Sequence, residues 1–105
     1  MTEVGMLLRE VRTQGMMLRP LERKINNCKM PELRESMMAM YNREQRIYDA
    51  KLKEVQPFLD KMSPGLVTFC TMYYIHGFSL LEVSDMMERS YRHVQRYKSK
   101  VEKGE

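Results

Sequence analysis

A closely spaced series of helix start and stop signals in the last third of the chain constrains the fold most. Ser63-Pro64-Gly65 is a helix start, because serine caps helices and proline fits their first turn. His76-Gly77 is a helix end, since glycine tolerates a left-handed cap. Ser79 and Glu82 have capping-box spacing, and Ser90 is a further capping residue. These signals predict three short helices joined by tight turns, as in a helix-turn-helix unit.

The apolar positions within these three segments agree with that prediction. Val94, Tyr97 and Val101 recur at helical spacing and should form the buried line of the last helix. Ser84 has the small side chain that is needed where the second helix passes close to the third, and Val94 faces it. Packing and capping signals therefore indicate the same unit.

The N-terminal half contains two longer helical patterns. Apolar residues recur near a 3.6-residue period from Thr2 to Arg19, and Pro20 is expected to end or kink that helix, with a further short helical piece after it. A second apolar stripe continues from Pro31 to Leu59, with Pro57 as its end or a kink. A helix of this length cannot bury its stripe alone.

Three partners are open for this stripe: the N-terminal helix, the C-terminal part, or a second copy of the chain. Glu44 interrupts the apolar line, which argues against an uninterrupted coiled-coil seam. A homodimer and an intramolecular antiparallel helix pair both remain open. We therefore expect an all-α fold with an N-terminal helical hairpin or long helix. Residues 1–57 would form a dimerisation or partner-binding extension, and residues 58–105 the helix-turn-helix domain.

The basic charge is concentrated in one segment. The net charge is +4, but residues 89–103 hold six basic residues against one acidic residue. That segment therefore carries +5, and the rest of the chain carries −1. Such a local excess is typical of a surface that binds phosphates, although a solvated helix face would also produce it.

Residues 77–98, which read Gly-Phe-Ser-Leu-Leu-Glu-Val-Ser-Asp-Met-Met-Glu-Arg-Ser-Tyr-Arg-His-Val-Gln-Arg-Tyr-Lys, resemble the DNA-reading helix-turn-helix of sigma factors, known as region four. They are also similar to small phage-encoded transcription regulators of the ArpU/RinA type. The resemblance covers residues 58 to 103. The positions that match the sigma-factor pattern in order are Ser79, Leu80, Glu82, Val83, Ser84, Met87, Ser90, Val94 and Tyr97.

This resemblance implies a sequence-specific, DNA-binding transcription regulator, encoded by a phage or prophage, that inserts helix 90–102 into the major groove. Its partners would be double-stranded DNA, RNA polymerase and a second copy bound through the N-terminal helices. If Val94, Tyr97 and Val101 face inward, the helical rotation of about 100° per residue places four residues on the opposite, outward side. These are Arg92, Arg96, Ser99 and Lys103. The residues expected at base edges or nearby phosphates are Tyr91, Arg92, Gln95 and Arg96, and those expected at the DNA backbone are Ser79, Ser90, Lys98 and Lys100.

The turn departs from the family pattern at two positions. Glu88 stands where glycine is usual, and Arg89 stands where an apolar residue follows. These departures leave open a second function, a small helical inhibitor or adaptor that binds protein on a helix-turn-helix scaffold. The methionines that would line its binding faces are Met37, Met38, Met40, Met86 and Met87.

Other classes of protein find little support in the sequence. Cys28 and Cys70 lie far apart, as expected for reduced thiols, and the two histidines fit no metal or nucleophile motif, so we expect no enzyme and no cofactor. The longest uncharged run, from Met62 to Leu81, contains proline and two glycines and should not span a membrane. A secretory signal has positive charge near its N-terminus, where this sequence has Glu3. We therefore expect the protein in the cytoplasm of a bacterial host.

Overall fold

A computed structural model of the chain describes residues 1–104, and its regular structure consists of helices joined by short turns. No strand occurs among these residues, which confirms the expected all-α class. The elements are α1 (Glu3–Asn27), α2 (Pro31–Asp60), α3 (Pro64–Cys70) continuing into a single π-helical turn (Thr71–Ile75), α4 (Leu80–Met87) and α5 (Tyr91–Lys103).

The two long helices form an antiparallel hairpin. The Nζ atom of Lys51, late in α2, lies 3.0 Å from a carboxylate oxygen of Glu10, early in α1. Further along, the side-chain amide of Gln14 donates to the Glu44 carboxylate at 2.7 Å. Glu44, which interrupts the apolar stripe in the sequence, therefore has a polar partner on α1. The long helix packs on the N-terminal helix of its own chain.

Neither internal proline ends its helix. α1 continues through Pro20 to Asn27, so the short piece expected after the proline belongs to the same helix. Proline removes one backbone hydrogen bond, but Leu18 and Ile25 are buried on either side of it, and their packing holds the helix together. Pro57 lies in the last turn of α2, which ends at Asp60.

A single hydrophobic core joins the base of the hairpin to the C-terminal helices. Phe69 lies within it, stacked on Tyr97 at 5.7 Å between ring centroids and edge-on to Tyr74 at 6.0 Å. The helical hairpin and the C-terminal helices both contribute buried residues. They are Leu8, Val55, Leu59, Leu66, Phe69, Cys70, Tyr74, Val83, Val94 and Val101.

Arg12 of α1 binds the π-helical turn that follows α3. Its Nη1 group donates to the backbone carbonyl of Tyr73 and, at 3.1 Å, to that of Phe78. The same guanidinium lies 4.0 Å from the centroid of the Tyr73 ring, where a cation–π attraction adds to the hydrogen bonds. Arg12 thus ties the hairpin to the end of α3.

Arg19 and Tyr48 bind the same turn from the two helices of the hairpin. Nη2 of Arg19 donates to the carbonyl of Ile75 at 3.0 Å, and the Tyr48 hydroxyl donates to that carbonyl at 3.1 Å. Gly77 ends the turn with a φ of 75°, and a Cβ there would lie 2.5 Å from Nη1 of Arg19. Glycine is therefore required both for the left-handed backbone and for the approach of Arg19.

Two buried side chains at the centre of the fold, Tyr74 and Cys70, have raised pKa values. The Tyr74 side chain is fully buried, and its hydroxyl donates to Oε2 of Glu102 on α5 at 2.6 Å. Burial and then this carboxylate raise the pKa of Tyr74 well above its ordinary value. Burial raises the pKa of the Cys70 thiol to about 12, as expected for a small buried residue that packs rather than reacts.

Replacing Arg12 should weaken the junction between the hairpin and the C-terminal helices. Arg12→Ala leaves the carbonyls of Tyr73 and Phe78 without this donor, and we expect the free energy of unfolding to fall by about 2 kcal/mol. Urea denaturation followed by circular dichroism measures the change. Arg9→Ala, an exposed arginine one turn away, is the control and should stay within about 0.5 kcal/mol of the parent. Equal losses in the two variants would contradict the prediction.

Stability should decline in alkaline solution because of Tyr74. Its pKa is raised in the folded chain, so the unfolded chain loses the proton first, and the stabilisation present below pH about 10 is lost as the pH rises further. Urea titrations between pH 9 and 11 measure how fast the free energy of unfolding falls with pH. In Tyr74→Phe this fall should be smaller by up to about 1.4 kcal/mol per pH unit. Tyr91→Phe, at a residue that is 45% exposed, should leave the decline unchanged.

Candidate nucleic-acid interface

The last helix, α5, is buried along one side only. Val94 and Val101 are 0% and 2% exposed, and the half-buried Tyr97 stacks on Phe69. His93 lies edge-on to the Tyr97 ring, with 4.8 Å between ring centroids. The core therefore fixes which side of α5 faces the solvent.

The solvent side of α5 carries four of its five cations. Arg92 and Arg96 are exposed one turn apart, and Gln95 lies beside them. Within residues 1–104, no carboxylate lies within 4.0 Å of either guanidinium. Lys100 and Lys103 extend the exposed basic side to the end of the helix. This row of Arg92, Gln95, Arg96, Lys100 and Lys103 is called the cationic row below.

The turn between α4 and α5 keeps a tight geometry without glycine. Glu88 adopts the left-handed conformation, with φ of 54°, that glycine would provide at this position. The Ser84 hydroxyl, in a residue only 7% exposed, donates to the carbonyl of Arg89 at 2.6 Å. Ser84 therefore fastens the turn from α4, and the turn stays closed with Glu88 at its left-handed position.

Both α4 and α5 begin at a serine cap. The Ser79 hydroxyl accepts from the backbone N–H of Glu82 at 3.1 Å, and the Glu82 carboxylate accepts from the N–H of Ser79 at 3.0 Å, which completes the capping box. At the start of α5, the Ser90 hydroxyl accepts from the N–H of His93 at 3.1 Å. Ser63 stands at the start of α3 but forms no such side-chain bond.

The capping box places a carboxylate next to Ser79. Glu82 is held by the backbone N–H and then the hydroxyl of Ser79, and these bonds lower the pKa of its carboxyl group. A phosphate at Ser79 would therefore meet a carboxylate that stays charged. Asp85 on α4 and Glu88 just after it are also exposed, so the exposed basic residues of this region are on α5 and at Arg89 in the turn before it.

The other expected contact residues differ in exposure. Tyr91 is 45% exposed in the first turn of α5, next to the exposed Ser90, and Lys100 is exposed toward the end. Lys98 is the exception, because its Nζ lies 3.3 Å from Oε2 of Glu102 and its side chain is 35% exposed. The structure brings Tyr91, Arg92, Gln95 and Arg96 together on two turns and directs Lys98 toward the core side.

Contacts at the far end of α5 were not anticipated from the sequence. The backbone N–H of Thr2 donates to the carbonyl of Glu102 at 2.8 Å, and the Thr2 hydroxyl donates to that of Val101. Gly5 is buried here, and a Cβ at this position would lie 2.9 Å from Cα of Glu102. The start of α1 thus binds the end of α5, an interaction across almost the whole chain that no local pattern signals.

Neither a metal-binding cluster nor a membrane-spanning helix occurs within residues 1–104. No group of three or more histidine, cysteine, aspartate or glutamate residues within residues 1–104 has a geometry that could hold a metal ion. In the same part of the chain, no helix combines the length and the apolar character that crossing a membrane requires. No protein-family model, curated protein or solved structure matches this chain.

Removing the cap of α5 should destabilise the chain more than removing the serine before α3. Ser90→Ala deletes the bond to the N–H of His93, and we expect a loss of about 1 kcal/mol in the free energy of unfolding. Ser63→Ala is the matched control and should cost less than about 0.5 kcal/mol, because Ser63 makes no capping bond. Chemical denaturation measures both, and a larger loss in Ser63→Ala would contradict the assignment.

Proposed function

We propose that this chain is a sequence-specific, DNA-binding transcription regulator that reads the major groove with α5. The observation that supports this most is the cationic row, which is exposed on a helix whose opposite side is buried. Arginines used only for solubility need no fixed direction, whereas these are held in register by the packing of Val94 and Val101. A helix presented in this way fits the width of the major groove.

The chemistry of the row suits base recognition. An arginine can form two hydrogen bonds with O6 and N7 of guanine, and a glutamine can do the same with N6 and N7 of adenine. Arg92 and Arg96 are about 6 Å apart along the helix axis. Base pairs are stacked about 3.4 Å apart, so the two arginines would contact bases about two steps apart. Gln95 and Tyr91 would contact the intervening or flanking positions.

The remaining contacts would position the protein on the DNA backbone. Lys100 and Lys103 continue the row beyond the base-reading residues, and Ser90 lies at the N-terminus of α5, where free N–H groups favour phosphate. Ser79 and Lys98 contribute less in this proposal, since each is already bound to a carboxylate of its own chain.

The resemblance to sigma-factor region four extends the proposal to partners and setting. It supports RNA polymerase as a protein partner and a phage or prophage regulator acting in the cytoplasm of a bacterial host. A homodimer through the N-terminal helices is part of the same proposal, because dimeric helix-turn-helix proteins place two reading helices on two half-sites.

A small protein-binding inhibitor or adaptor is the second candidate function. It is favoured by the exposure of several methionines, among them Met16, Met17, Met38, Met40 and Met86, and by the acidic outer side of α4. Affinity capture from a bacterial lysate treated with nuclease separates the two functions. A protein partner would survive this treatment, whereas a partner bridged by DNA would be lost.

The DNA-binding proposal predicts salt-dependent binding that is concentrated in α5. Selection of bound sites from random duplexes should yield a preferred sequence, and its affinity should fall steeply with rising salt concentration. The double variant Arg92→Ala with Arg96→Ala should lose about 1–3 kcal/mol for each base-reading contact and should discriminate less between the selected and a scrambled site. Fluorescence anisotropy of labelled duplexes measures both effects.

Arg34→Ala with Arg46→Ala provides the matched control. Both arginines are exposed on α2, so this variant loses the same charge at a distance from α5. It should keep the discrimination between the two duplexes. The proposal would be overturned by an absence of binding at low salt, or by an unchanged preference in the Arg92/Arg96 variant.

A further inference from the structure

A charged cleft lies between α1 and the C-terminal helices. It has a volume of about 350 Å³, and α1, the π-helical turn and α5 all contribute to its walls. Three cations line it, Arg9 and Arg12 from α1 and Lys98 from α5. Within residues 1–104, Glu102 is the one carboxylate among the lining residues, so the cleft has a net charge of +2. It is called the α1–α5 cleft below.

Glu102 does not neutralise the two arginines of the cleft. Its Oε2 atom accepts from the Tyr74 hydroxyl at 2.6 Å and lies 3.3 Å from Nζ of Lys98. The carboxylate is therefore already bound by α5 and the π-helical turn. In the described part of the chain, no carboxylate lies within 4.0 Å of the guanidinium of Arg9 or of Arg12. The excess charge of the cleft is thus that of its two arginines.

The donors of α1 in this cleft are held to different degrees. Arg12 is fixed by its two carbonyl bonds and by the Tyr73 ring, and both bonds come from Nη1, so Nη2 and Nε remain able to donate. Arg9 is exposed, and its Nη1 group lies 3.8 Å from the sulfur of Met1, a weak acceptor. The exposed Thr13 follows Arg9 by one turn and shares its side of α1. Guanidinium groups and hydroxyls of this kind are common donors to phosphate oxygens.

The α1–α5 cleft adjoins the cationic row. Lys98 and Glu102 also line a groove beside α5, together with Gln95 and Lys103 of the row. Lys98 lies about 60° around the helix from Gln95, so the two residues are neighbours on one flank of α5. The positive surface of α5 therefore continues past this flank to the arginines of α1.

A helix in the major groove has DNA backbone along both of its flanks. The groove is about 12 Å wide, and a helix with its side chains is about 10–12 Å across. The phosphates of the two strands would therefore lie beside α5, and the α1–α5 cleft stands on one of these sides. A phosphate there would be attracted by Arg9 and Arg12 more than by Lys98, whose charge is balanced by Glu102.

We propose that Arg9, Arg12 and Thr13 bind a phosphate of the DNA backbone beside α5. The N-terminal hairpin is then part of the DNA-binding surface. The inference rests on the proposed function and deepens it, because it assigns a DNA contact outside the helix-turn-helix unit. Such a contact positions the protein on the duplex and reads no sequence.

The lining of the cleft favours a DNA phosphate over a small molecule. Sites for small molecules are mostly apolar and carry only a few polar groups. Here Met16 is the exception among side chains that are charged or bear a hydroxyl group. The charge is also continuous with the surface that α5 presents to DNA. A backbone phosphate is therefore the ligand that matches both the chemistry and the position of the cleft.

Arg9 is the residue whose substitution tests this contact most directly. Arg9→Ala should leave the stability within the limit given above, so a change in DNA binding would not reflect unfolding. Loss of one phosphate contact should reduce the magnitude of the slope of log K against log salt concentration by about 0.9. It should also weaken the selected and the scrambled duplex by the same factor, about fivefold at low salt. Arg9→Lys, which keeps the charge, should keep the slope. Fluorescence anisotropy of the full chain with both duplexes measures these effects.

Two further variants separate a local contact from a general effect of charge. Arg23→Ala is the matched control, because Arg23 is exposed on the same helix and lies about 21 Å further along it. This distance exceeds the Debye length of about 10 Å at 0.1 M salt, so the variant should keep the parent's slope. Thr13→Lys adds a cation at the cleft and should increase the magnitude of the slope by about 0.9. Partial unfolding would not produce such a gain.

The outcomes distinguish failure of this contact from failure of DNA recognition. An unchanged slope in Arg9→Ala, or an equal reduction in Arg23→Ala, would overturn the inference and leave recognition by α5 in place. A parent chain that binds neither duplex at low salt would overturn the proposed function and this contact with it.

A titration with inorganic phosphate at constant ionic strength covers the other source of the same ligand. It is followed by ¹H–¹⁵N NMR of the arginine side chains. Saturable shifts of Arg9 and Arg12 at submillimolar phosphate, together with an unchanged slope in Arg9→Ala, would identify a site for a free anion and overturn the inference. Shifts that stay small at this concentration, with the reduced slope, would support the DNA contact.

Discussion

The attachment of three hairpin side chains to one π-helical turn is the interaction on which the rest of the structure depends. Arg12, Arg19 and Tyr48 donate to backbone carbonyls in and just after that turn. Because a buried carbonyl without a donor is costly, these bonds fix the hairpin relative to α3 as well as satisfying the backbone. Around this attachment the long helices and the C-terminal helices share one core.

The direction of α5 follows from contacts at several points along it. Ser84 and Ser90 hold its beginning, Tyr97 packs on Phe69 in its middle, and Thr2 binds its end. A helix restrained in this way keeps its exposed side in one orientation. For a DNA reader this matters because base-specific hydrogen bonds require side chains at a defined position and angle. The rigidity of the scaffold is thus part of the proposed function.

Local signals in the sequence were enough to find much of the candidate site. The capping box at Ser79, the cap at Ser90 and the buried line through Val94 depend on residues a few positions apart, and the structure has each of them. The prolines were harder to interpret, since whether a helix survives Pro20 depends on packing against α2. Lys98 and Glu102 are four residues apart, so their pairing is local, but the bond that Glu102 accepts from Tyr74 of the π-helical turn could not be read from the sequence.

The sequence alone determined that the chain is helical, where its short helices begin, and that its excess of positive charge lies on the last of them. These properties follow from backbone capping, from hydrophobic periodicity and from composition, all of which act over a few residues. Only the tertiary structure decided that Arg12 and Arg19 bind the π-helical turn after α3, that Thr2 binds the end of α5, and that Leu33, Met40 and Ile47 of α2 stay exposed. Each of these depends on groups far apart in the chain, whose meeting is set by the packing of whole helices rather than by local sequence.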